Sequence, residues 1–246
     1  MIDKPVGVTS HDVVARVRRS LGGAKTGHAG TLDPFASGLL IVLVGKATKL
    51  QSKFMELPKR YETVARLGAR SSTGDPEGEI TETGRIPPDP PFLPTGEIRQ
   101  RPPVYSAIKI KGERAYRKAR RGESFQMPER IVTVSRFEQT WRSAKGTGDP
   151  AASAGTDEHE RAGYLIECSS GTYVRSLIAD LGDAYCEELK RTAVGPFELA
   201  EACAPPPRGQ SWTHPPLSTV EQALAEAERF QAQSRGTFKR TRPSVT

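Results

Sequence analysis

The residues best suited to chemistry stand in one glycine-rich segment, residues 25–40, which contains Asp33 and His28 among small side chains. Glycines let a backbone approach a ligand closely. An aspartate presented on such a loop can act as a nucleophile or as a general base without a cofactor. An aspartate followed by a proline is also a common turn residue. These residue types alone therefore leave both a catalytic and a structural role open for Asp33.

Other chemistries are less well supported by the spacing of residues. The glycine-rich segment lacks the G-K-[ST] and G-x-G-x-x-G patterns of nucleotide-binding loops. The cysteines are widely spaced, and no C-x-x-C pair or Cys/His cluster has the spacing of a zinc site. We therefore expect neither a disulfide framework nor a metal site. The cysteines are Cys168, Cys186 and Cys203.

The chain carries a net charge of +7, from 36 basic and 29 acidic residues. Bulk charge reports only non-specific attraction to phosphates, but the basic residues here are also clustered. Two blocks with few acids nearby favour phosphate contacts over two solvated helix faces. The first basic block is Arg16, Arg18, Arg19 and Lys25, and the second is Lys109, Lys111, Arg114, Arg117, Lys118, Arg120 and Arg121.

Apolar periodicity predicts the elements that flank the glycine-rich segment. Residues 11–21 have helical spacing, with Ser10 as the N-cap and a glycine pair as the stop. The apolar run Gly38–Val44 is typical of a strand buried on both faces. Lys59–Leu67 alternates as a half-buried strand does.

Further elements follow in an irregular order. The predicted helices are Lys109–Arg121, a helix capped by Thr172 with Tyr185 on its apolar face, and a helix opened by a capping box at Ser218 and Glu221; the predicted strands are Ile131–Trp141, Tyr164–Cys168 and Leu189–Leu199. Strands and helices do not alternate regularly. We therefore expect an α+β fold around a mixed, largely antiparallel sheet with flanking helices.

A set of ordered motifs resembles the TruB-type tRNA pseudouridine synthases. The segment Gly27–Leu40 resembles the catalytic motif of that family. The other matches, in chain order, are Asp3–Pro5 with Gly7, Thr9 and Ser10, then Lys59–Tyr61, Pro102–Lys109, Ser170–Arg175 with Asp180–Gly182, and Arg191–Phe197. Together they span roughly residues 1–200, and an ordered set of this kind is far more specific than the motif around Asp33 alone.

The resemblance implies an isomerase that needs no cofactor. Members of the family convert the uridine at position 55 in the tRNA T loop to pseudouridine, breaking the glycosidic bond and rejoining the base through carbon. Asp33 is then the catalytic aspartate, Arg175 pairs with that carboxylate, and Tyr61 stacks on the target base and assists proton transfer. The sequence leaves open whether Asp33 attacks the ribose, attacks the base, or first removes a ribose proton.

The resemblance also implies residues that bind the substrate. Tyr173 and Leu189 line the uracil pocket, although the stretch from Arg175 to Arg191 is shorter here than in familiar members. His28 contacts the RNA and fills the space left by the flipped base. Lys4, Lys109 and the rest of the second basic block support the structure or contact RNA.

The resemblance sets the expected domain boundaries. Residues 1–200 form a pseudouridine-synthase-like catalytic domain with insertions or loops at 85–100 and 143–162. Residues 201–233 form a short extension with one helix, and 234–246 a disordered basic tail. Roughly 45 residues follow Phe197, which leaves no room for the PUA domain of many relatives. The chain also begins abruptly at the first motif, which leaves an upstream extension open.

These features set the expected partners. The partner is the T arm of tRNA rather than DNA, and without a PUA domain we expect a monomeric, stand-alone enzyme that uses no guide RNA or accessory protein. No run approaches the roughly 18 apolar residues of a membrane span, and no signal peptide is evident, so we expect a cytoplasmic protein without membrane contact.

Two alternatives to this enzyme remain. One is an RNA-folding module that opens and refolds tRNA elbows without needing the modification. The other is an enzyme that acts on a tRNA-like element in a larger transcript, since phosphate and shape contacts do not identify the target. The joint presence of Asp33, Tyr61 and Arg175 favours an enzyme over the folding module.

Overall fold

The computed structural model of this protein describes residues 1–106, 108–110, 112–143, 159–207, 210, 212–213 and 215–240, with only the backbone of residues 120 and 235–240. The strands are β1 (Ile2–Lys4), β2 (Thr26–His28), β3 (Ser37–Leu40), β4 (Val42–Val44), β5 (Lys59–Leu67), β6 (Ala69–Ser71), β7 (Ile80–Glu82), β8 (Gly96–Gln100), β9 (Lys109–Ile110), β10 (Glu113–Arg114), β11 (Arg130–Ser143), β12 (Arg161–Cys168), β13 (Ala184–Val194) and β14 (Phe197–Glu198). The helices are α1 (Ser10–Ser20), α2 (Gln51–Met55), α3 (Ala115–Arg120), α4 (Val174–Ala179) and α5 (Val220–Arg240), and two 3-10 segments span Gly45–Leu50 and Leu199–Glu201.

The chain divides into two compact units. Unit 1 consists of both ends of the chain, residues 1–60 and 190–246, and unit 2 of residues 61–189. Strands β5 and β13 each continue across a unit boundary, because the boundaries fall after Arg60 and Leu189.

Unit 1 contains the glycine-rich segment. Strand β3 pairs antiparallel with β1 and parallel with β13, and β14 folds back antiparallel on β13. Strands β2 and β4 form a separate antiparallel pair. One core cluster joins Ile2 and Leu40 to Val13 and Val17 of α1. A second surrounds Phe54 and includes Ala29 and Leu39, so both ends of the glycine-rich loop rest on core residues.

Unit 2 is built on the strand order β13-β5-β12-β11-β8. Strand β11 pairs antiparallel with both β12 and β8. The small pairs β6–β7 and β9–β10 are also antiparallel. With the parallel β3–β13 contact, these pairings make the sheet mixed and largely antiparallel, and they confirm the predicted α+β class.

Helix α1 begins as its sequence indicates but with a different cap. The N-cap is Thr9, whose side chain accepts a hydrogen bond from the Asp12 backbone while the Asp12 carboxylate accepts from Thr9 in return. The predicted cap, Ser10, is instead buried. Its hydroxyl donates to the Leu32 carbonyl at 3.1 Å and accepts from the Leu32 amide at 2.9 Å. Ser10 therefore ties α1 to the glycine-rich loop.

The apolar run Gly38–Val44 is two strands rather than the predicted one. Strand β3 pairs with β1 and β13, whereas β4 pairs with β2. The break falls at Ile41, whose carbonyl accepts a hydrogen bond from the Ala29 amide at 2.9 Å. The strand prediction for Lys59–Leu67 is confirmed as β5.

Three other sequence predictions need correction. The predicted helix Lys109–Arg121 is the hairpin β9–β10 followed by the short helix α3. Thr172 does not cap α4, because its hydroxyl donates to the Ser169 carbonyl and the helix begins at Val174. Tyr185 lies in β13 rather than on a helix.

The regions predicted as loops and tail also differ in part. The expected loop 85–100 ends in strand β8, and β11 and β12 extend into the expected loop 143–162, of which residues 144–158 lie outside the described residues. The last helix begins after a reciprocal Thr219–Gln222 pair, one residue beyond the predicted capping box. It continues to Arg240, past residue 234 where we expected disorder, and residues 241–246 lie outside the described part.

Candidate active site

Asp33 lies on a half-buried turn between β2 and β3 in unit 1. The Ala36 amide donates to the Asp33 carbonyl at 3.1 Å, and the Gly7 amide donates to the Pro34 carbonyl at 2.8 Å. Leu32, on the other side, is held by Ser10 through its amide and its carbonyl. The backbone on both sides of the carboxylate is therefore fixed by hydrogen bonds.

Lys4 is buried beneath this turn. Its ammonium donates to the carbonyls of Pro5 and Val8 at 2.8 Å and of Pro34 at 3.4 Å. Burial lowers the pKa of Lys4 to about 8, while the charge of Asp33 raises this pKa and that of Arg191 lowers it. Of the two roles expected for Lys4, support of the loop fits a side chain that is fully buried better than contact with RNA does.

His28 is half-buried in β2, with its ring edge-on to that of His11 from α1 at a centroid distance of 5.4 Å. Burial lowers the pKa of His28, and the nearby charges of His11 and Arg191 lower it further. The Gln51 side chain donates to the His28 carbonyl at 2.7 Å. The imidazole is therefore held in place and biased towards its neutral form.

Arg191 has no role in the sequence predictions, yet it touches the segment that carries Asp33. Its side chain is 1% exposed. Its guanidinium donates to the carbonyls of Leu39 at 2.8 Å, Gly30 at 3.1 Å and Thr31 at 3.5 Å. The contacted carbonyls lie on both sides of Asp33 in the chain.

Arg175 lies in α4 of unit 2 and is also buried, at 3% exposure. Its Nη1 atom lies 3.0 Å from Oδ2 of Asp75 and donates to the Thr73 carbonyl at 2.8 Å. Its Nη2 atom donates to the Tyr105 carbonyl at 2.9 Å. Asp75 precedes a proline in a loop rich in Ser, Thr and Gly, and a local sequence of this kind is typical of an ordinary turn.

The other predicted pocket residues also belong to unit 2. Tyr61, in β5, is 9% exposed, and Leu189, near the end of β13, is 8% exposed. Tyr173 immediately precedes α4, and buried Gln100 accepts from its amide at 2.8 Å and donates to its carbonyl at 3.0 Å. The guanidinium of Arg130 lies 5.5 Å from the centroid of the Tyr173 ring. After Arg191 and Asp75, Gln100 is thus a third supporting residue that the sequence predictions did not include.

The second basic block is less strongly cationic than its sequence suggests. Lys109 is exposed in β9. Arg121 pairs with Glu113 at 2.6 Å, and Lys118 pairs with Glu123 at 2.9 Å. Local acids therefore offset part of the charge that we expected to face RNA.

The predicted site residues are divided between the two units. Unit 1 holds Lys4, His28 and Asp33, and unit 2 holds the rest, namely Tyr61, Lys109, Tyr173, Arg175 and Leu189. The pairing of Asp33 with Arg175 would join residues of the two units, and it stays a prediction.

Two kinds of feature are absent from the described part of the chain. No helix in that part of the chain has both the length and the apolar character to cross a membrane. Within the same residues, no three side chains of His, Cys, Asp or Glu are grouped so that they could hold a metal ion.

Known proteins are similar to this chain over most of its length. The family model described as "TruB family pseudouridylate synthase (N terminal domain)" matches residues 18–174. A protein of Thermobifida fusca named tRNA pseudouridine synthase B is 42% identical over 246 residues, covering 94% of this chain and 81% of its own. A protein of Cutibacterium acnes with the same name is 42% identical over 241 residues, covering 91% of this chain and 76% of its own.

Solved structures have the same fold. A chain in a crystal structure of a Cbf5-Nop10-Gar1 complex matches with a TM-score of 0.54 at 30% identity over 80% of this chain, and this chain covers 48% of it, about half its length. A second match, to an H/ACA RNP bound to a substrate RNA containing 2'-deoxyuridine, has a TM-score of 0.53 at 28% identity, over 80% of this chain and 47% of that chain. The chain therefore belongs to the TruB family of pseudouridylate synthases, which makes it an RNA-modifying isomerase.

Proposed function

We propose that this protein converts the uridine at position 55 of the tRNA T loop to pseudouridine, with Asp33 as the catalytic carboxylate. The main support for tRNA as the substrate is the similarity to relatives named tRNA pseudouridine synthase B. This similarity extends over 94% of this chain in one case and 91% in another. The placement of Asp33 on a half-buried turn with a fixed backbone supports its role.

The reaction rearranges atoms already present in the substrate. The bond from the ribose C1' to N1 of uracil breaks, a bond from C1' to C5 forms, and the proton at C5 is replaced by one at N1. Atoms and electrons balance without an oxidant, a reductant or a second substrate. We therefore propose that the protein needs no cofactor.

Asp33 serves this reaction through its ionised oxygen. That oxygen is required whether the aspartate attacks the ribose, attacks the base, or first removes a ribose proton, and these three routes remain open. A fixed backbone on both sides of Asp33 supports each route, because a reacting group that is already oriented lowers the entropic part of the barrier.

Arg175 serves as the partner of Asp33 in this proposal. Its guanidinium is fixed by the Asp75 carboxylate and by the carbonyls of Thr73 and Tyr105. A guanidinium with a fixed plane can hold a carboxylate in one orientation and keep it ionised. The buried bonds of Arg175 support an orienting role of this kind.

The uracil pocket is proposed to consist of Tyr61, Tyr173 and Leu189. A base stacked inside the T loop must be flipped out before its glycosidic bond is accessible, at a cost of about a few kcal/mol. Stacking on Tyr61 offsets that cost, since base–aromatic stacking contributes about 1–3 kcal/mol per base. His28 fills the vacated space, and Lys109 contacts RNA phosphates.

The remaining expectations are part of the same proposal. The protein acts as a monomer on tRNA alone, without guide RNA, accessory protein or DNA. The tRNA substrate is supported by the relatives named tRNA pseudouridine synthase B, since those names specify tRNA. A cytoplasmic location is part of this proposal, and a tRNA substrate supports it.

The test compares the wild type with Asp33→Asn on an unmodified tRNA transcript, with no cofactor or metal added. Pseudouridine is mapped by carbodiimide labelling and primer extension. Asp3→Asn is the matched control, because Asp3 is another half-buried aspartate of unit 1. We expect product at the T-loop uridine with the wild type and Asp3→Asn only. Tight tRNA binding without product from any of the three proteins would instead support an RNA-folding module.

A further inference from the structure

We propose that Arg191 is a positioning residue for Asp33, and that its buried guanidinium joins the two ends of the loop that carries this carboxylate. The inference rests on the proposed function, because it matters to catalysis only if Asp33 is the reacting group.

The contacts of the side chain define the role. The Nη2 and Nη1 atoms of Arg191 donate to the carbonyls of Gly30 and Thr31, at 3.1 and 3.5 Å, before Asp33 in the chain. The Nε atom donates to the carbonyl of Leu39 at 2.8 Å, after Asp33. A single rigid group therefore sets the separation of the two chain segments that lead into and out of the turn.

The backbone of Arg191 meets the same segment at a third point. In the parallel pairing of β13 with β3, Arg191 lies opposite Gly38. A Cβ atom at Gly38 would lie 2.3 Å from the Arg191 carbonyl oxygen, and Gly38 has a φ of +101°. Only glycine allows this approach. Arg191 is thus fixed against β3 by its main chain while its side chain reaches the loop.

The energetics of burial also indicate a specific use for an arginine here. Removing a guanidinium from water is costly unless its donors are satisfied, and an apolar residue of similar volume avoids that cost. Among the described residues, Arg191 forms no ion pair within 4.0 Å, and its hydrogen bonds go to three backbone carbonyls, two in the loop before Asp33 and one in β3 after it. Stability alone does not favour an arginine at this place, whereas bracing a loop through several carbonyls requires a forked donor.

The charge of Arg191 is felt by the neighbouring site residues. It lowers the pKa of Lys4 and also that of His28. Asp33 acts on Lys4 with the opposite sign. These effects place the guanidinium in the electrostatic surroundings of the turn, in agreement with its hydrogen bonds.

The experiment compares Arg191→Met, which removes the charge and all three bonds, with Arg191→Lys, which keeps the charge but loses the fork. Single-turnover rates on unmodified tRNA, tRNA Kd values and hydrogen exchange of a peptide covering residues 29–38 are measured for each. For Arg191→Met we expect a rate about 100-fold lower, a Kd within about twofold of wild type, and faster exchange of the loop peptide. For Arg191→Lys we expect a rate and a loop exchange between those of the wild type and those of Arg191→Met.

The control is Phe54→Leu, which weakens the unit 1 core around Phe54 and Phe197 without removing a bond to the loop. All variants are assayed at a temperature at which thermal unfolding shows them to be folded. If Arg191→Met loses no more rate than Phe54→Leu, the residue is merely structural and the proposal is overturned. A large rise in Kd at an unchanged rate overturns it as well.

Two further outcomes keep the test decisive. If Arg191→Met does not fold, Arg191→Lys decides: a lower rate with faster loop exchange supports the proposal, and a rate within about threefold of wild type overturns it. Asp33→Asn is assayed in parallel. Full activity of Asp33→Asn would mean that the proposed function of Asp33 has failed, and the inference with it. An inactive Asp33→Asn beside a fully active Arg191→Met would overturn the inference alone.

Discussion

The carboxylate of Asp75 and the guanidinium of Arg175 form an ion pair of 3.0 Å, with side chains only 6% and 4% exposed. Asp75 is anchored in turn, because its Oδ1 atom accepts from the Thr73 hydroxyl at 2.6 Å and from the Glu77 amide at 3.1 Å. The loop between β6 and β7 therefore fixes an arginine that lies 100 residues further along the chain.

Removal of Asp75 leaves the charge of Arg175 buried without this partner. We expect Asp75→Ala to lower the free energy of unfolding by about 3 kcal/mol, and Asp75→Asn to lower it less, because an amide oxygen still accepts. Urea denaturation measures both. The control is Glu82→Gln, because the side chain of Glu82 is 59% exposed in its pair with Arg66, and a pair with one exposed partner contributes about 1 kcal/mol. Equal losses in Asp75→Ala and Glu82→Gln would contradict a special role for the buried pair.

The lowered pKa of Lys4 should make the stability of the protein depend on pH in the alkaline range. Burial lowers its pKa to about 8 in the folded protein, against roughly 10.4 for an unfolded lysine. Between these values the unfolded chain binds a proton that the folded chain does not, so this group makes the protein more stable as the pH rises. The contribution is complete above the unfolded pKa and is lost as the pH falls to about 8.

The measurement is the free energy of unfolding of the wild type minus that of Lys4→Met, at several pH values between about 7.5 and 10. The variant also loses three hydrogen bonds, but that loss contributes a constant offset. We expect the difference to grow with pH in favour of the wild type. A difference that stays constant would show that Lys4 titrates normally.

The lowered pKa of His28 can be detected by an NMR titration of its imidazole. Its pKa lies below 6.5, first because of burial and then because of His11 and Arg191. As the pH falls below 6.5, the unfolded chain takes up a proton at this histidine before the folded chain does. His28 therefore lowers the free energy of unfolding as the pH falls through this range. We expect His11→Gln to raise the His28 midpoint and His11→Lys, which keeps a positive charge, to leave it low. A midpoint that is the same in both variants would contradict the electrostatic effect of His11.

The close approach of β3 to β13 at Gly38 should make any larger residue at this position destabilising. An alanine there meets the Arg191 carbonyl at 2.3 Å and must also adopt a φ of +101°. Overpacking and backbone strain together suggest a loss of about 4 kcal/mol. Gly7→Ala is the matched control, since Gly7 has a φ of +79° with nothing within 4 Å, and it should lose only about 1–2 kcal/mol. Thermal or urea unfolding distinguishes the two.

The fold class followed from the sequence because local signals dominate where they are strong. Lys59–Leu67 alternates apolar and polar residues, and β5 has those bounds. The single strand expected for Gly38–Val44 was wrong because apolar periodicity does not show that Leu40 and Val42 pair with different strands. The helix expected for Lys109–Arg121 was wrong in its first half, since a hairpin through Gly112 comes before α3.

The site was accessible from the sequence only where a family motif marks it. Asp33 and Arg175 stand in such motifs. The supporting residues Asp75, Gln100 and Arg191 form tertiary contacts with residues 73 to 161 positions away, and no local pattern encodes such a contact. Arg191 itself begins the motif Arg191–Phe197, but that motif does not show which residues its side chain contacts. Arg191 even occupies an alternating strand position, where a charged residue would ordinarily be expected to face solvent.

The placement of both chain ends in unit 1 has a consequence for biosynthesis. Backbone hydrogen bonds join Asp3 and Met1 to Cys203 at 2.9 and 3.2 Å, so β1 completes its pairing only after Cys203 has left the ribosome. About 130 residues of unit 2 are translated in between, which takes on the order of ten seconds at typical elongation rates. Although the Asp33 loop precedes unit 2 in the chain, it reaches its final form only after unit 2 has been synthesised. A nascent chain stalled before Arg191 therefore carries Asp33 on a loop that has not yet formed its hydrogen bonds to this arginine.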